Sequence, residues 1–264
     1  DVEVFPGTNV SHIEKMGDSV KISANGKSFE GTFVIAADGV NSRIARILGF
    51  NKEREFKGTE IYVTWVIEGD IPVDPGSFNF IFTEKGIFSI YQEYKQGIYH
   101  LTTFSTNTQL DYHASLDYFM REDKTYSPWF TNAKKVGMIN CVSNLLTPIK
   151  DPFRDNTLLI GDAAWIMEFS NMAAICTGWK AGNAVALAVA DNNLCREGLA
   201  SYFEYWEKYF YGPRSEFDFG MGGGELHDYL TGEEMDYLVG LVKKPLPTTM
   251  NFFIFFTSLG TTYA

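Results

Sequence analysis

The chain has 264 residues, 45% apolar and 21% charged, which is enough apolar surface for one large core or two smaller ones and excludes a disordered polymer. A formal charge of −11 argues against a nucleic-acid surface, and three cysteines without CxxC spacing (Cys141, Cys176, Cys195) fit the reducing cytoplasm better than a disulfide framework. The longest apolar run, Phe252 to Phe256, falls far short of the roughly 20 residues a bilayer helix needs.

The chain enters at Asp1 directly into DVEVFPGTNVSHIE, a strand-like pattern with no charged or apolar leader region. A start inside regular structure sets the expectation that residues before Asp1 are missing. Strands are expected at Val10 to Glu14, Val20 to Ser23 and Gly31 to Ala37, with a turn at Asn25-Gly26. The apolar run Thr32 to Ala37 has the pattern of a strand covered on both faces. It stops at Asp38-Gly39, after which Ser42 is placed to cap a short helix, Arg43 to Leu48, with Gly49 just beyond its end.

From Asn51 the periodicity changes. Thr59 to Glu68, Ser77 to Thr83, Ile87 to Glu93 and Ile98 to Ser105 read as strands separated by tight turns, an antiparallel meander. Helices are expected at Ser115 to Arg121 and Pro128 to Lys134, and a strand at Gly137 to Asn144. The third zone opens with the buried strand Asn156 to Ile160, which turns through Gly161-Asp162-Ala163-Ala164 into a long Ala- and Gly-rich helix ending near Asp191. Ala200 to Tyr211 comes next with a broad aromatic face, and Glu233 to Lys243 is a further helix candidate. Aromatic residues make up 16% of the chain, a richness that serves either a core or a large apolar ligand.

Two turns carry chemistry. In Val34-Ile-Ala-Ala-Asp-Gly-Val-Asn-Ser-Arg43 a strand delivers a carboxylate and a flexible backbone to the carboxyl edge of a sheet, where ligands sit in open α/β folds. Arg43 then stands at the start of the next helix, within reach of an anion. In Thr157-Leu-Leu-Ile-Gly-Asp-Ala-Ala164 a second strand delivers Gly161 and Asp162 to its own carboxyl end, and the two alanines open a helix whose first amides are unpaired. Such a carboxylate can accept hydrogen bonds from sugar-like hydroxyls, and small residues permit a flat ring to approach. Each turn alone is equally an ordinary strand-turn-helix.

Together the two turns resemble the FAD-dependent flavoprotein hydroxylase superfamily and, within it, the geranylgeranyl reductase branch with its related dehydrogenases. VIAADGVNSRIARILG is similar to that superfamily's Asp-Gly motif and NTLLIGDAAW to its Gly-Asp motif, with a β-rich zone between them as in the family. Thr177 to Ala186 resembles the small-residue helix near the flavin, and Tyr202-Phe-Glu-Tyr-Trp206 the helix after it. The resemblance implies FAD as cofactor, with Asp162 on the ribityl chain, Gly161, Ala163 and Ala164 beside the flavin and pyrophosphate, and Asp38, Gly39 and Arg43 flanking it. NAD(P)H is implied as a candidate electron donor. Three features depart from the family pattern: GxGxxG is absent, Phe169-Ser-Asn-Met-Ala-Ala174 replaces a Gly-rich turn, and Phe88 to Tyr94 lacks the aromatic-proline motif of prenyl reductases.

Other signals carry less. Gly220-Met-Gly-Gly-Gly224 lacks the Lys-Ser or Lys-Thr of a phosphate loop and reads as a mobile loop. The four histidines show no metal-ligand spacing, no GxSxG elbow is present, and Glu122-Asp123 and Glu233-Glu234 read as solvated helix ends. The expected architecture is α+β: a partial FAD-binding, Rossmann-like α/β layer from residues 1–50 and 150–195, an antiparallel-sheet substrate domain over 51–149, and a mostly helical region over 196–264. The expected function is that of an FAD-dependent oxidoreductase (dehydrogenase, reductase or monooxygenase) acting on an apolar small molecule, with an electron-transfer protein as a candidate partner and no residue assigned as catalytic acid or base. The alternative is a noncatalytic remnant that binds an apolar ligand or a protein.

Overall fold

The computed structural model describes residues 2–83, 85–164 and 172–210, with isolated positions between 230 and 241. The glycine run at 220–224, the aromatic run at 252–256, most of the helix candidate at 233–243 and the first part of the 169–174 turn lie outside the described residues. Strands and helices are numbered in chain order. The chain divides into two compact units: one holds residues up to Lys57 and those from Leu146 onward through the last described helix, and the other spans Gly58–Leu145.

In the first unit, β1 (Val10–Met16), β2 (Ser19–Ala24) and β3 (Lys27–Gly31) form an antiparallel sheet in sequence order. Its hairpins are two-residue turns, Gly17-Asp18 and Asn25-Gly26, and the positive φ of Asn25 (48°) and Gly26 (76°) gives the second the twist that suits adjoining strands. The strand-like pattern at the very start does not form a strand. Residues 2–9 are irregular, interrupted by the Pro6-Gly7 turn, with Phe5 set edge-on to Phe29 at 4.9 Å.

A second small sheet in this unit has the order β10 (Phe153–Arg154), β11 (Thr157–Leu159), β4 (Val34–Ala36). β11 and β4 run parallel, in the register Thr157↔Val34 to Leu159↔Ala36. β11 is buried throughout, as its apolar run requires. β4 corrects the expectation of a strand covered on both faces: it is three residues long, it pairs only with β11 among the described residues, and Ile35 is 39% exposed. Alternation decides the matter, because Ala36 faces the core while Ile35 faces away.

α1 (Arg43–Ile47) is capped by Ser42, whose hydroxyl accepts from Ala45 N–H at 2.9 Å, and Gly49 comes after the C-cap with φ 77°. α3 (Met172–Ala190) presents Ala181, Ala184 and Ala188 to the core. α4 (Ala200–Tyr209) buries Tyr202, Phe203 and Trp206 on the face its aromatic spacing foretells, and Trp206 Nε1–H donates to Ile149 O at 3.0 Å. The two alanines after Gly161-Asp162, expected to open the long helix, do not open it. Gly161–Ala163 form a single 3-10 turn, and the described helix starts at Met172.

The second unit is built on a five-stranded sheet: β5 (Phe56–Glu68), β6 (Phe78–Thr83), β7 (Gly86–Gln92), β8 (Ile98–Ser105) and β9 (Lys134–Leu146), in the order β6-β7-β8-β5-β9. Only β6 to β8 make a meander. β5 lies on the far side of β8, aligned Tyr62↔Phe104 and Val66↔His100, so the first strand of the zone sits next to the last of the meander. α2 (Tyr112–Arg121), capped by Asp111, covers one sheet face, where Val63, Trp65, Ile67, Phe88, Ile90 and Leu101 meet Leu116 and Phe119. The helix expected at Pro128 to Lys134 is a 3-10 turn, Ser127–Phe130, and Lys134 already begins β9. Among the described residues no helix is long and apolar enough to cross a membrane, and no cluster of His, Cys, Asp or Glu has the makings of a metal site.

Candidate functional site

Because β4 and β11 are parallel neighbours, their carboxyl ends lie side by side. The ladder continues one bond past both strands, with Ile160 N–H donating to Ala36 O at 3.0 Å. The chain leaves one strand through Ala37-Asp38-Gly39 and the other through Gly161-Asp162, so the two acidic turns emerge at one sheet edge. Adjacent strands are about 4.8 Å apart, which puts the two turns within reach of one ligand.

The Asp38 carboxylate is engaged. Oδ1 accepts from the Ser42 hydroxyl at 2.6 Å, and Oδ2 accepts from the backbone N–H groups of Arg43 at 2.8 Å and Ile44 at 3.0 Å. It therefore satisfies two of the amides that the start of α1 leaves open and fixes the turn between strand and helix. Gly39, at φ 80°, takes the left-handed backbone this turn needs. Arg43 is exposed at the first position of α1, and its guanidinium has no ion pair among the described residues.

Asp162 differs. No described side chain or backbone N–H donates to its carboxylate. Although the residue reaches the surface, the protein around it withdraws water from the carboxyl and pushes its pKa up. Gly161 holds φ 56°, and its N–H donates to Thr177 Oγ1 at 3.2 Å, while the Thr177 hydroxyl donates to Ala174 O at 3.0 Å. Thr177 thus ties the turn to the first turns of α3. A Cβ on Gly161 would stand 3.4 Å from that of Ala174, so the approach of the helix also favours glycine. Ala163 and Ala164 are fully buried, and Ala164 O accepts from Ile149 N–H at 3.3 Å. Their side chains form the floor under the turn rather than its outer surface.

Asn156 anchors the opposite end of β11. It is 3% exposed, at φ 53°, and its amide donates to Asp18 O and Thr32 O at 3.2 Å each, which links the small sheet to the β1–β3 sheet. Neither Asn156 nor Thr177 is an anchor that sequence reasoning singles out. The Asp155-Asn156 pair is a legible turn signal, whereas Thr177 acquires its role only through folding.

In the second unit, the sheet face away from α2 carries Tyr62, Phe78, Phe80, Tyr91, His100 and Phe104. Tyr62 stacks on Phe104 at 5.3 Å and Phe78 on Tyr91 at 5.3 Å. Phe78 and Phe80 are 50% and 37% exposed. Polar groups sit among these rings. The Tyr62 hydroxyl donates to Glu60, whose carboxyl is pushed up by burial and drawn back by that hydrogen bond.

The fold is similar to that of proteins solved with FAD, and the comparisons with known proteins return proteins of the geranylgeranyl reductase kind that the two acidic motifs resemble. The chain is 28% identical over 217 residues to digeranylgeranylglycerophospholipid reductase 2 of Methanosphaera stadtmanae, an alignment covering 74% of this chain and 52% of that protein. Among solved structures it is similar to a geranylgeranyl bacteriochlorophyll reductase-like protein from Thermoplasma acidophilum, with a TM-score of 0.71, 18% identity, and coverage of 97% of this chain and 66% of the other. It is also similar to a variant of Klebsiella pneumoniae HpxO complexed with FAD, with a TM-score of 0.60, 18% identity, and coverage of 87% and 65%. The chain spans about half the length of the curated relative it matches. No family model matches it.

Proposed function

We propose that these residues serve an FAD-dependent oxidoreductase acting on an apolar small molecule, with reduction of an unsaturated lipid the reaction to test first. The observation that carries the reading is the Asp162 carboxylate, set at the carboxyl end of a parallel strand pair, without a partner among the described residues and raised in pKa by burial. A carboxylate so placed is matched by a ligand rich in hydroxyl donors, as the ribityl chain of FAD is. The fit extends to Gly161, whose left-handed backbone shapes the turn, and to Arg43, whose exposed guanidinium would suit a phosphate of the flavin or of an NAD(P)H donor. Asp38 and Gly39 act through the turn they hold, and Ala163 and Ala164 through the floor they form. When bound, FAD supplies reversible two-electron chemistry, while the protein positions it and excludes water. The aromatic sheet face of the second unit is proposed, by itself, to bind an apolar ligand. The lipid reductase named among the relatives supports this substrate class.

The test is flavin retention by the protein expressed from its full reading frame, followed through gel filtration by absorbance. Asp162→Ala is expected to weaken FAD binding by about tenfold or more, the loss of one or two charge-assisted hydrogen bonds. A full-length protein that holds no flavin would overturn the reading and leave noncatalytic ligand binding in its place.

A further inference from the structure

Tyr91, His100 and Glu93 form a connected set on the aromatic sheet face. Tyr91 and His100 are direct cross-strand partners on β7 and β8. The Tyr91 hydroxyl lies 2.9 Å from His100 Nδ1, and Glu93 Oε2 lies 3.7 Å from His100 Nε2. A carboxylate beside Nε2 favours the tautomer with its proton there, which leaves the Nδ1 lone pair to accept from Tyr91. Access to water is graded along the set, with the Glu93 side chain 37% exposed and that of His100 15%. Phe78 stacks on Tyr91 from β6, a strand with no ionisable residue, and β5 sets Val66 opposite His100. The other charges nearby are Glu68, bound by Lys134 at 2.9 Å, and Lys95, which also acts on Glu68.

We propose that this set is a proton relay in which the Tyr91 hydroxyl exchanges a proton with a ligand on the aromatic face, His100 takes up or returns the Tyr91 proton, and Glu93 orients the imidazole. The proposal rests on the reading that this face binds an apolar ligand. In one direction a C–H or O–H proton of the ligand passes to Tyr91 Oη as the phenolic proton passes to His100 Nδ1, and the resulting imidazolium is held by the Glu93 carboxylate. In the reverse direction the imidazolium returns its proton to Tyr91, which protonates the ligand. Only a proton moves, and the bonding pair stays on the ligand atom that held it. Burial, aided by the Glu93 charge, pushes the Tyr91 phenol up, so Tyr91 gives up its proton only where a neighbour takes it. His100 is placed to be that neighbour.

The test is ring-nitrogen NMR of His100 in the full-length protein, combined with turnover of digeranylgeranylglycerophospholipid as the probe. Wild type is expected to show a protonated Nε2 and a hydrogen-bonded bare Nδ1. Tyr91→Phe should remove the Nδ1 hydrogen bond, and Glu93→Gln should mix the tautomers. Tyr91→Phe should lower kcat by about 10²-fold with KM and flavin content unchanged, the usual weight of a general acid-base group. Glu93→Gln should lower kcat by less, as expected of a positioning residue. A proton on Nδ1 in wild type, or full turnover by Tyr91→Phe, overturns the relay. Flavin absorbance of the same samples separates the two readings: loss of flavin from wild type counts against the oxidoreductase alone, while a proton on Nδ1 counts against the relay alone.

Discussion

The Asp38 turn and the Asp162 turn leave adjacent parallel strands at the same end, each through a small residue and a carboxylate, yet the surroundings of the two acids are opposite. Asp38 accepts three hydrogen bonds from Ser42, Arg43 and Ile44 and so closes the start of α1. Asp162 accepts none from the described residues, and burial raises its pKa. The difference lies in the path of the chain beyond each acid. After Asp38, five residues bring the first amides of a helix back to the carboxylate. After Asp162, a 3-10 turn runs into buried Ala163 and Ala164, and its amides do not return. Similar motifs thus give one acid that holds the backbone and one that no described group engages.

Both turns share one support, β11, and its loss has the largest expected effect. Leu158 is fully buried at the centre of β11, paired with Ile35 of β4. Leu158→Ala is expected to cost about 2–5 kcal/mol of stability, measured by urea unfolding, and to loosen both turns together. Asp38→Ala is expected to cost about 1–2 kcal/mol, the value of a lost helix cap, and to reduce flavin affinity only through the displaced turn. If Asp38→Ala left stability unchanged and abolished flavin binding, the assignment of the two acids would have to be exchanged.

The part of this arrangement that is local is legible in the sequence. Ser42 and Gly49 bracket α1 because capping depends on residues a few positions apart. The Gly-Asp and Asp-Gly turns are legible because apolar runs end abruptly there. The engagement of Asp38 is not, since an Asp five residues before a helical amide satisfies it only if the loop doubles back. β9 is longer than its pattern predicts because most of its residues are exposed, so no alternation marks its start. The place of β5 beside β8 is a long-range choice that periodicity does not encode. The Tyr91–His100 pair needs the register of a hairpin, and a slip of one residue would put the two rings on opposite faces.

A smaller effect is expected at the hinge of the second turn. Gly161→Ala places a side chain at φ 56°, at a cost of about 1 kcal/mol, and sets its Cβ 3.4 Å from that of Ala174. Unfolding of this variant should show that modest loss while the Asp38 turn stays intact, which hydrogen exchange at Arg43 and Ile44 can check.

Asp162→Asn should perturb stability least. A carboxyl whose pKa is raised by folding binds its proton more tightly in the native state than in the unfolded chain. Stability conferred by Asp162 is therefore greatest when it is protonated and declines as pH rises from the ordinary carboxylate range through the raised value. The side-chain amide introduced by Asp162→Asn carries no such titration, so stability against pH should be flatter over that window and slightly higher than wild type above it. Asp38→Asn should do the reverse at neutral pH, because it weakens acceptance from two helix amides and a hydroxyl. If Asp162→Asn instead cost stability at neutral pH, the carboxylate would have to be held by a favourable partner in the folded protein, and the contrast between the two turns would fail.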